Sequence, residues 1–123
     1  MNLNSILIGS ADPQRLVDDY SKLFGTPVWA EGGYSGWQIG TGIVTVGPHD
    51  QVKGNNQEPG RIIWNIESPD VQADFGKLKA AGATVVREPY QPEGMPADAP
   101  EYWIATFSDP DNNYFQLMSV MSM

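Results

Sequence analysis

Few side chains in this sequence can do covalent or acid–base chemistry. Cysteine is absent, which removes disulfides, thiolate metal sites and cysteine nucleophiles together. The single histidine, His49, lies in Pro48-His49-Asp50. Its plain role is a solvated loop residue; its sharper role is a metal ligand or base assisted by a carboxylate from Glu31, Asp50 or Glu101. No nucleophile-elbow pattern occurs. Gly40-Thr41-Gly42 precedes a strand pattern rather than a helix, so it does not read as a phosphate cradle. Asp109 and Asp111 read either as a turn or as part of a calcium loop, and Asp18-Asp19 as a solvated helix face.

Groups suited to binding are more plentiful. Of the four tryptophans, Trp37 and Trp103 fall at matching places in an internal repeat. Large aromatics serve either as core or as a surface that stacks on planar or cationic ligands, and both roles stay open for this pair. Arg61 is either a surface ion-pair partner at a strand start or a clamp for carboxylate or phosphate.

The repeat supplies the elements that must position these groups. Ser5-Ile6-Leu7-Ile8-Gly9-Ser10-Ala11-Asp12-Pro13 aligns with Arg61-Ile62-Ile63-Trp64-Asn65-Ile66-Glu67-Ser68-Pro69. Each is an apolar strand, then a polar N-cap (Asp12, Ser68) and a proline suited to the first helical position. Apolar stripes follow at helical spacing: Leu16, Tyr20, Leu23 and Phe24, then Val71, Phe75 and Leu78. Helices are expected over 12–24 and 69–81, each ending near a glycine, Gly25 and Gly82. Three strands follow in each copy: 26–30, 36–40 and 43–47, then 83–87, 102–107 and 114–119. The segment 89–100, with prolines at 89, 92, 96 and 100, lengthens the second copy. The chain is thus one domain, with units 1–47 and 61–123 joined by a polar linker, 48–60. A unit of about 50 residues buries too little apolar surface to stand alone, so the two units share a core or exchange halves with a second chain.

Charge narrows the partners. The net charge is −8, with seven Lys and Arg scattered along the chain, whereas nucleic acid and anionic membranes require clustered cations. The acidity serves solubility or favours cationic ligands. The stretch Met1–Asp12 has no basic region, and its apolar run is too short for a signal peptide or membrane span. An untargeted, cytoplasmic protein is the expectation.

Two stretches carry a family resemblance. One runs from Ile6 through Asp12 and Tyr20 to Leu23-Phe24-Gly25; the other is Phe107-Ser108-Asp109-Pro110-Asp111-Asn112-Asn113-Tyr114-Phe115-Gln116-Leu117. The second is similar to the F-x-D-P-D-G-N-x-I/F-E-L hairpin of the vicinal-oxygen-chelate superfamily, which includes glyoxalases, bleomycin-resistance proteins and dioxygenases. The resemblance implies an α+β fold in which two βαβββ repeats form a curved, mixed eight-stranded sheet around a cleft, with helices on the outer face. It also implies a homodimer and a turn role for Asp109 and Asp111. Metal-dependent members hold a divalent ion with His or Glu on the first and last strands of each unit. Those positions here carry Ser5, Thr45, Arg61 and Gln116, none of them a good ligand, so no metal and no cofactor are expected there.

Side chains alternate along a strand. If Ser5, Thr45, Arg61 and Gln116 face the cleft, so do Leu7, Ile43, Ile63, Asn65, Tyr114 and Met118. The opposite set (Ile6, Ile8, Val44, Val46, Ile62, Trp64, Ile66, Phe115, Leu117) is apolar and suits a helix-covered face. The leading expectation is a protein that binds or sequesters a small organic molecule, such as a cationic or aromatic drug or metabolite. Ser5, Trp37, Thr45, Arg61, Trp103, Tyr114 and Gln116 are the candidate contacts. The rival is a glyoxalase-type lyase, isomerase or dioxygenase using ligands such as His49 with Glu31, Asp50 or Glu101. A metal-free enzyme working through Gln116, Tyr114 or Arg61 ranks last, because amides and guanidiniums are poor bases at neutral pH.

Overall fold

The same local signals build the same unit in each half of the chain. A computed structural model describes residues 1–96 and 101–120; the end of the proline-bearing segment, including Pro100, lies outside the described residues. The first unit contains β1 (Ser5–Ser10), α1 (Pro13–Phe24), β2 (Trp29–Glu31), β3 (Tyr34–Ile39) and β4 (Gly42–Pro48). The second contains β5 (Ile63–Ser68), α2 (Val71–Ala80), β6 (Thr84–Tyr90), β7 (Ile104–Ser108) and β8 (Tyr114–Ser119).

The two units superpose at a different offset from the one the prolines suggest. Ser10 Oγ accepts from the Asp12 N–H at 3.0 Å, and Ser68 Oγ accepts from the Asp70 N–H at 3.2 Å. Asp70 caps α2 by accepting from the Ala73 N–H, so the helix begins two residues later than a cap at Ser68 requires. Ser68 is therefore the counterpart of Ser10, and Ile63, not Arg61, is the counterpart of Ser5. Pro13 misled the alignment: it opens α1, whereas Pro69 precedes the cap of α2. Arg61 and Ile62 lie ahead of β5, and Ile62 is exposed rather than packed beneath a helix. Both helices do close at the expected glycines, which take positive φ of 89° at Gly25 and 108° at Gly82, a conformation that costs glycine little.

Hydrogen bonds divide the eight strands into two four-stranded mixed sheets, ordered β1-β4-β3-β2 and β5-β8-β7-β6. β1 is parallel to β4 and β5 to β8; the other pairings are antiparallel. β1 and β5 thus each end a sheet. Pro89 lacks an N–H for the ladder, and β6 shifts register against β7 between Arg87 and Tyr90.

One core serves both units. Leu16 and Tyr20 of α1, Trp37, Val44 and Val46 of the first sheet, and Phe107, Phe115 and Leu117 of the second are buried together. The Tyr20 ring lies 5.6 Å from that of Trp37, 6.3 Å from Trp64 and 6.4 Å from Phe115. α1 therefore contacts the apolar faces of both sheets, which explains how two small units gain enough burial.

The β7–β8 turn staples the units. Asp109 Oδ1 accepts from the N–H groups of Asp111 and Asn113, both at 2.9 Å, and Oδ2 accepts from the Tyr20 hydroxyl at 2.7 Å. Asp111 accepts from Ser10 Oγ at 2.5 Å and from the Arg15 guanidinium. Protein donors thus engage both carboxylates, as a turn role requires. Asn112 adopts φ 67° where the superfamily hairpin has glycine; asparagine tolerates that region better than other side chains.

Candidate functional site

The face of each sheet turned away from the core is the candidate site. Opposed residues on paired strands share a face, so the register defines its rows. On the first sheet, one row reads Trp29–Gly36–Thr45–Leu7. In the adjacent row, Gly9 stands opposite Gly47, and Glu31 opposite Tyr34. On the second sheet, Arg87–Thr106–Gln116–Asn65 form a row, and Tyr90–Ile104–Met118–Glu67 another.

Glycine makes the two faces differ. A Cβ on Gly36 would meet Trp29 Nε1 at 2.3 Å, and one on Gly47 would meet Tyr34 Cδ1 at 2.0 Å. Both rings therefore lie directly against backbone that any other residue would block. The Tyr34 hydroxyl donates to the Pro48 carbonyl at 3.2 Å, which anchors that ring. Trp29 is 41% exposed, leaving ring surface open to solvent. The second sheet is more polar: Gln116 Nε2 donates to Thr106 Oγ1 at 3.2 Å, and the Arg87 guanidinium sits 3.4 Å from the centre of the Tyr90 ring.

Alternation places Ser5, Thr45, Tyr114 and Gln116 on these open faces, with Leu7 exposed beside Thr45 and Gln116 half-buried. The tryptophan pair lies elsewhere. Trp37 stands opposite Val44 and is 1% exposed, with its indole N–H donating to the Gly25 carbonyl at 2.9 Å. A ligand on the open face cannot touch it. Trp103 exchanges backbone and hydroxyl hydrogen bonds with Ser119, which shares a face with the core residues Phe115 and Leu117. Both indoles thus sit on the core side. Arg61 is exposed and pairs with Glu58 at 2.7 Å, the plainer of its two readings. Trp29 and Tyr34 are the open-face aromatics that strand alternation alone did not single out; the glycines two places after Tyr34 and one place before Pro48 were the available signal.

The residues do not fit the metal that the superfamily implies. With Ile63 in place of Arg61, the four strand positions hold Ser5, Thr45, Ile63 and Gln116, which offer two hydroxyls, a hydrocarbon and an amide. His49 Nδ1 accepts from the Gln51 N–H at 3.2 Å. Among the described residues, no three or more His, Cys, Asp or Glu side chains gather as a metal-holding group, so His49 is not joined to Glu31, Asp50 and Glu101 in one. A recess of about 490 Å³ lies between the linker and the β7–β8 turn, lined by Gly9, Val52, Asn56, Asp111 and Asn113 among others. Its floor is the inter-unit staple, and Asp111 is already committed there.

The model of the glyoxalase-like domain family matches residues 5–118. The chain belongs to that family. It is a member of the vicinal-oxygen-chelate superfamily, and its α+β fold of two βαβββ units is the superfamily's fold. No curated protein matches it significantly. Among solved structures, it resembles a glyoxalase/bleomycin resistance protein/dioxygenase from Alicyclobacillus acidocaldarius (14% identity, 98% of this chain and 92% of that one, TM-score 0.75). It also resembles a glyoxalase/bleomycin resistance protein/dioxygenase family enzyme from Burkholderia phytofirmans PsJN (18% identity, 98% and 100% coverage, TM-score 0.71). TioX from Micromonospora sp. ML1 is similar too (19% identity, 98% and 100% coverage, TM-score 0.70). At these identities the likeness speaks for the fold. Among the described residues, no helix of this glyoxalase-like domain is long and apolar enough to cross a membrane.

Proposed function

We propose that this glyoxalase-like domain binds a small organic molecule on the open faces of its two sheets. The observation that carries the reading is the division of side chains across each strand. One face is apolar and sealed by helices, while the other presents rings, hydroxyls and amides on rigid strands. Such a surface orients a ligand through a few polar contacts on a mostly apolar ground. Thr45 and Gln116 supply hydrogen bonds, Ser5 and Tyr114 border them, and Trp29 and Tyr34 supply apolar contact. Glyoxalase-type chemistry at the usual place requires donors that Ser5, Thr45, Ile63 and Gln116 lack.

The second partner is another copy of the chain. β1 ends its sheet with six residues, SILIGS, that carry neither charge nor proline. Edges of that kind invite pairing unless something covers them. Placing β1 of one copy beside β5 of another joins the two kinds of open face into one cleft.

The test is thermal unfolding against a panel of aromatic and amphipathic small molecules, because a ligand well above its Kd raises the midpoint. Stabilising compounds are expected to lose about ten-fold in affinity in the double variant T45V/Q116L, from the loss of polar contacts. Unchanged affinity in that variant for every stabilising compound would place binding elsewhere and end this reading.

A further inference from the structure

The two rows of the first sheet suggest what kind of molecule the open face takes. We infer that Trp29, Tyr34 and Glu31 form a stacking site for a planar organic cation. The inference rests on the open face being a ligand surface, and it adds the ligand's shape and charge.

The shape follows from the glycines. Gly36 and Gly47 hold the places where side chains would otherwise rise between the strands, and the Trp29 and Tyr34 rings occupy that space instead. Gly9, opposite Gly47, is instead covered by His49 and Val52, which closes that end of the second row. The result is two aromatic rings in neighbouring rows, with the Thr45 hydroxyl beside one and the Glu31 carboxylate beside the other. Broad, low aromatic surface is matched by another planar ring system, stacked or edge-on.

The sign follows from the charges. Glu31 forms no ion pair among the described residues, and it is the only charged side chain in these two rows. Ring faces attract cations, and an adjacent carboxylate adds to that attraction. The net charge of −8 acts in the same direction at long range. On the second sheet, Glu67 faces the same way, and the Arg87 guanidinium is already stacked on Tyr90, so that ring is not free to receive a ligand.

Calorimetric titration with three related probes tests this: 10-methylacridinium, neutral acridine at pH 8, and acridine-9-carboxylate. The wild-type chain is expected to bind the cation most tightly and the anion least, with one site per chain. Trp29→Leu should weaken the cation at least ten-fold. Glu31→Gln should weaken the cation several-fold and leave neutral acridine unchanged. Gly36→Ala provides a second route, because its methyl group displaces the indole without removing it, and it should weaken the cation as Trp29→Leu does. Circular dichroism confirms that each variant folds. Equal binding of cation and anion, unchanged binding in Trp29→Leu, or no binding of any probe overturns the inference. So does cation binding that falls as the chain self-associates, since a second copy would then be the occupant of the rings. Amide shifts separate the two readings: perturbation at Gln116 and Asn65 without Trp29 ends this inference and leaves the open face standing as a ligand surface.

Discussion

Asp19 is a carboxylate whose environment opposes its charge. It is half-buried on α1, and its Oδ2 has no hydrogen-bond partner. Burial raises its pKa above the usual aspartate value, the nearby Asp109 raises it further, and Lys22 partly offsets both. A carboxyl whose pKa is raised by folding binds more protons folded than unfolded. Stability then falls as pH rises from the ordinary aspartate range, about pH 4, through the raised value. Asp19→Asn removes the ionisation, so its melting temperature should exceed the wild-type value at pH 7, with the gap shrinking as pH drops toward 4. A gap that is constant with pH would mean that the carboxylate's charge is not the cause. None of this is legible in Asp18-Asp19, where both residues read as a solvated helix face; Asp18 is exposed, whereas Asp19 is half-buried and feels Asp109, which is distant along the chain. Thr45 and Gln116, by contrast, share a sheet face with the neighbours that alternation groups with them, Leu7 and Asn65, because strand parity is a local property. Trp37 is not placed this way, because its face depends on which residue of β4 lies opposite.

At the scale of elements, the β7–β8 turn is the most demanding piece. Asn112 sits at positive φ and also donates from Nδ2 to the Asn56 carbonyl at 3.0 Å, tying the linker to the turn. Asn112→Val combines a β-branched side chain in the left-handed region with loss of that bond, and should cost about 2–3 kcal/mol in denaturant unfolding. Asn112→Gly relieves the backbone while losing the same bond, so it should stay within about 1 kcal/mol of wild type. If both variants lose the same stability, the hydrogen bond rather than the backbone conformation is what matters. The hairpin, the helices and all eight strands were readable in the sequence within a few residues, since caps, stripes and turn formers are local signals. The repeat register was not. The two prolines align the copies two residues out, and the paired serine–amide bonds at Ser10 and Ser68, with the Asp70 cap of α2, correct it. The correction puts isoleucine at the third metal position and moves Arg61 off the strand.

For the whole molecule, the shared core and the free sheet edges make separate predictions. Tyr20 reaches residues of both units, so heat should unfold the chain in one transition rather than two. Sedimentation should give twice the 13.5 kDa of one chain, and Leu7→Lys, which places a charge beside the β1 edge, should shift the population toward single chains. A wild-type chain that sediments as a monomer at every concentration would leave the paired cleft without support. The size of the units implies that they need one another, but the sequence does not say which surfaces meet, because that depends on contacts between residues distant along the chain.

Ligands of this domain are proposed to occupy the sheet faces turned away from the core. The most direct measurement is the set of indole N–H resonances from the four tryptophans, followed by nuclear magnetic resonance while a stabilising aromatic compound is added. The Trp29 resonance is expected to move with saturation, while that of Trp37, buried and bonded to the Gly25 carbonyl, stays in place. A shift at Trp37 with Trp29 unmoved would put the ligand on the core side instead of the open faces.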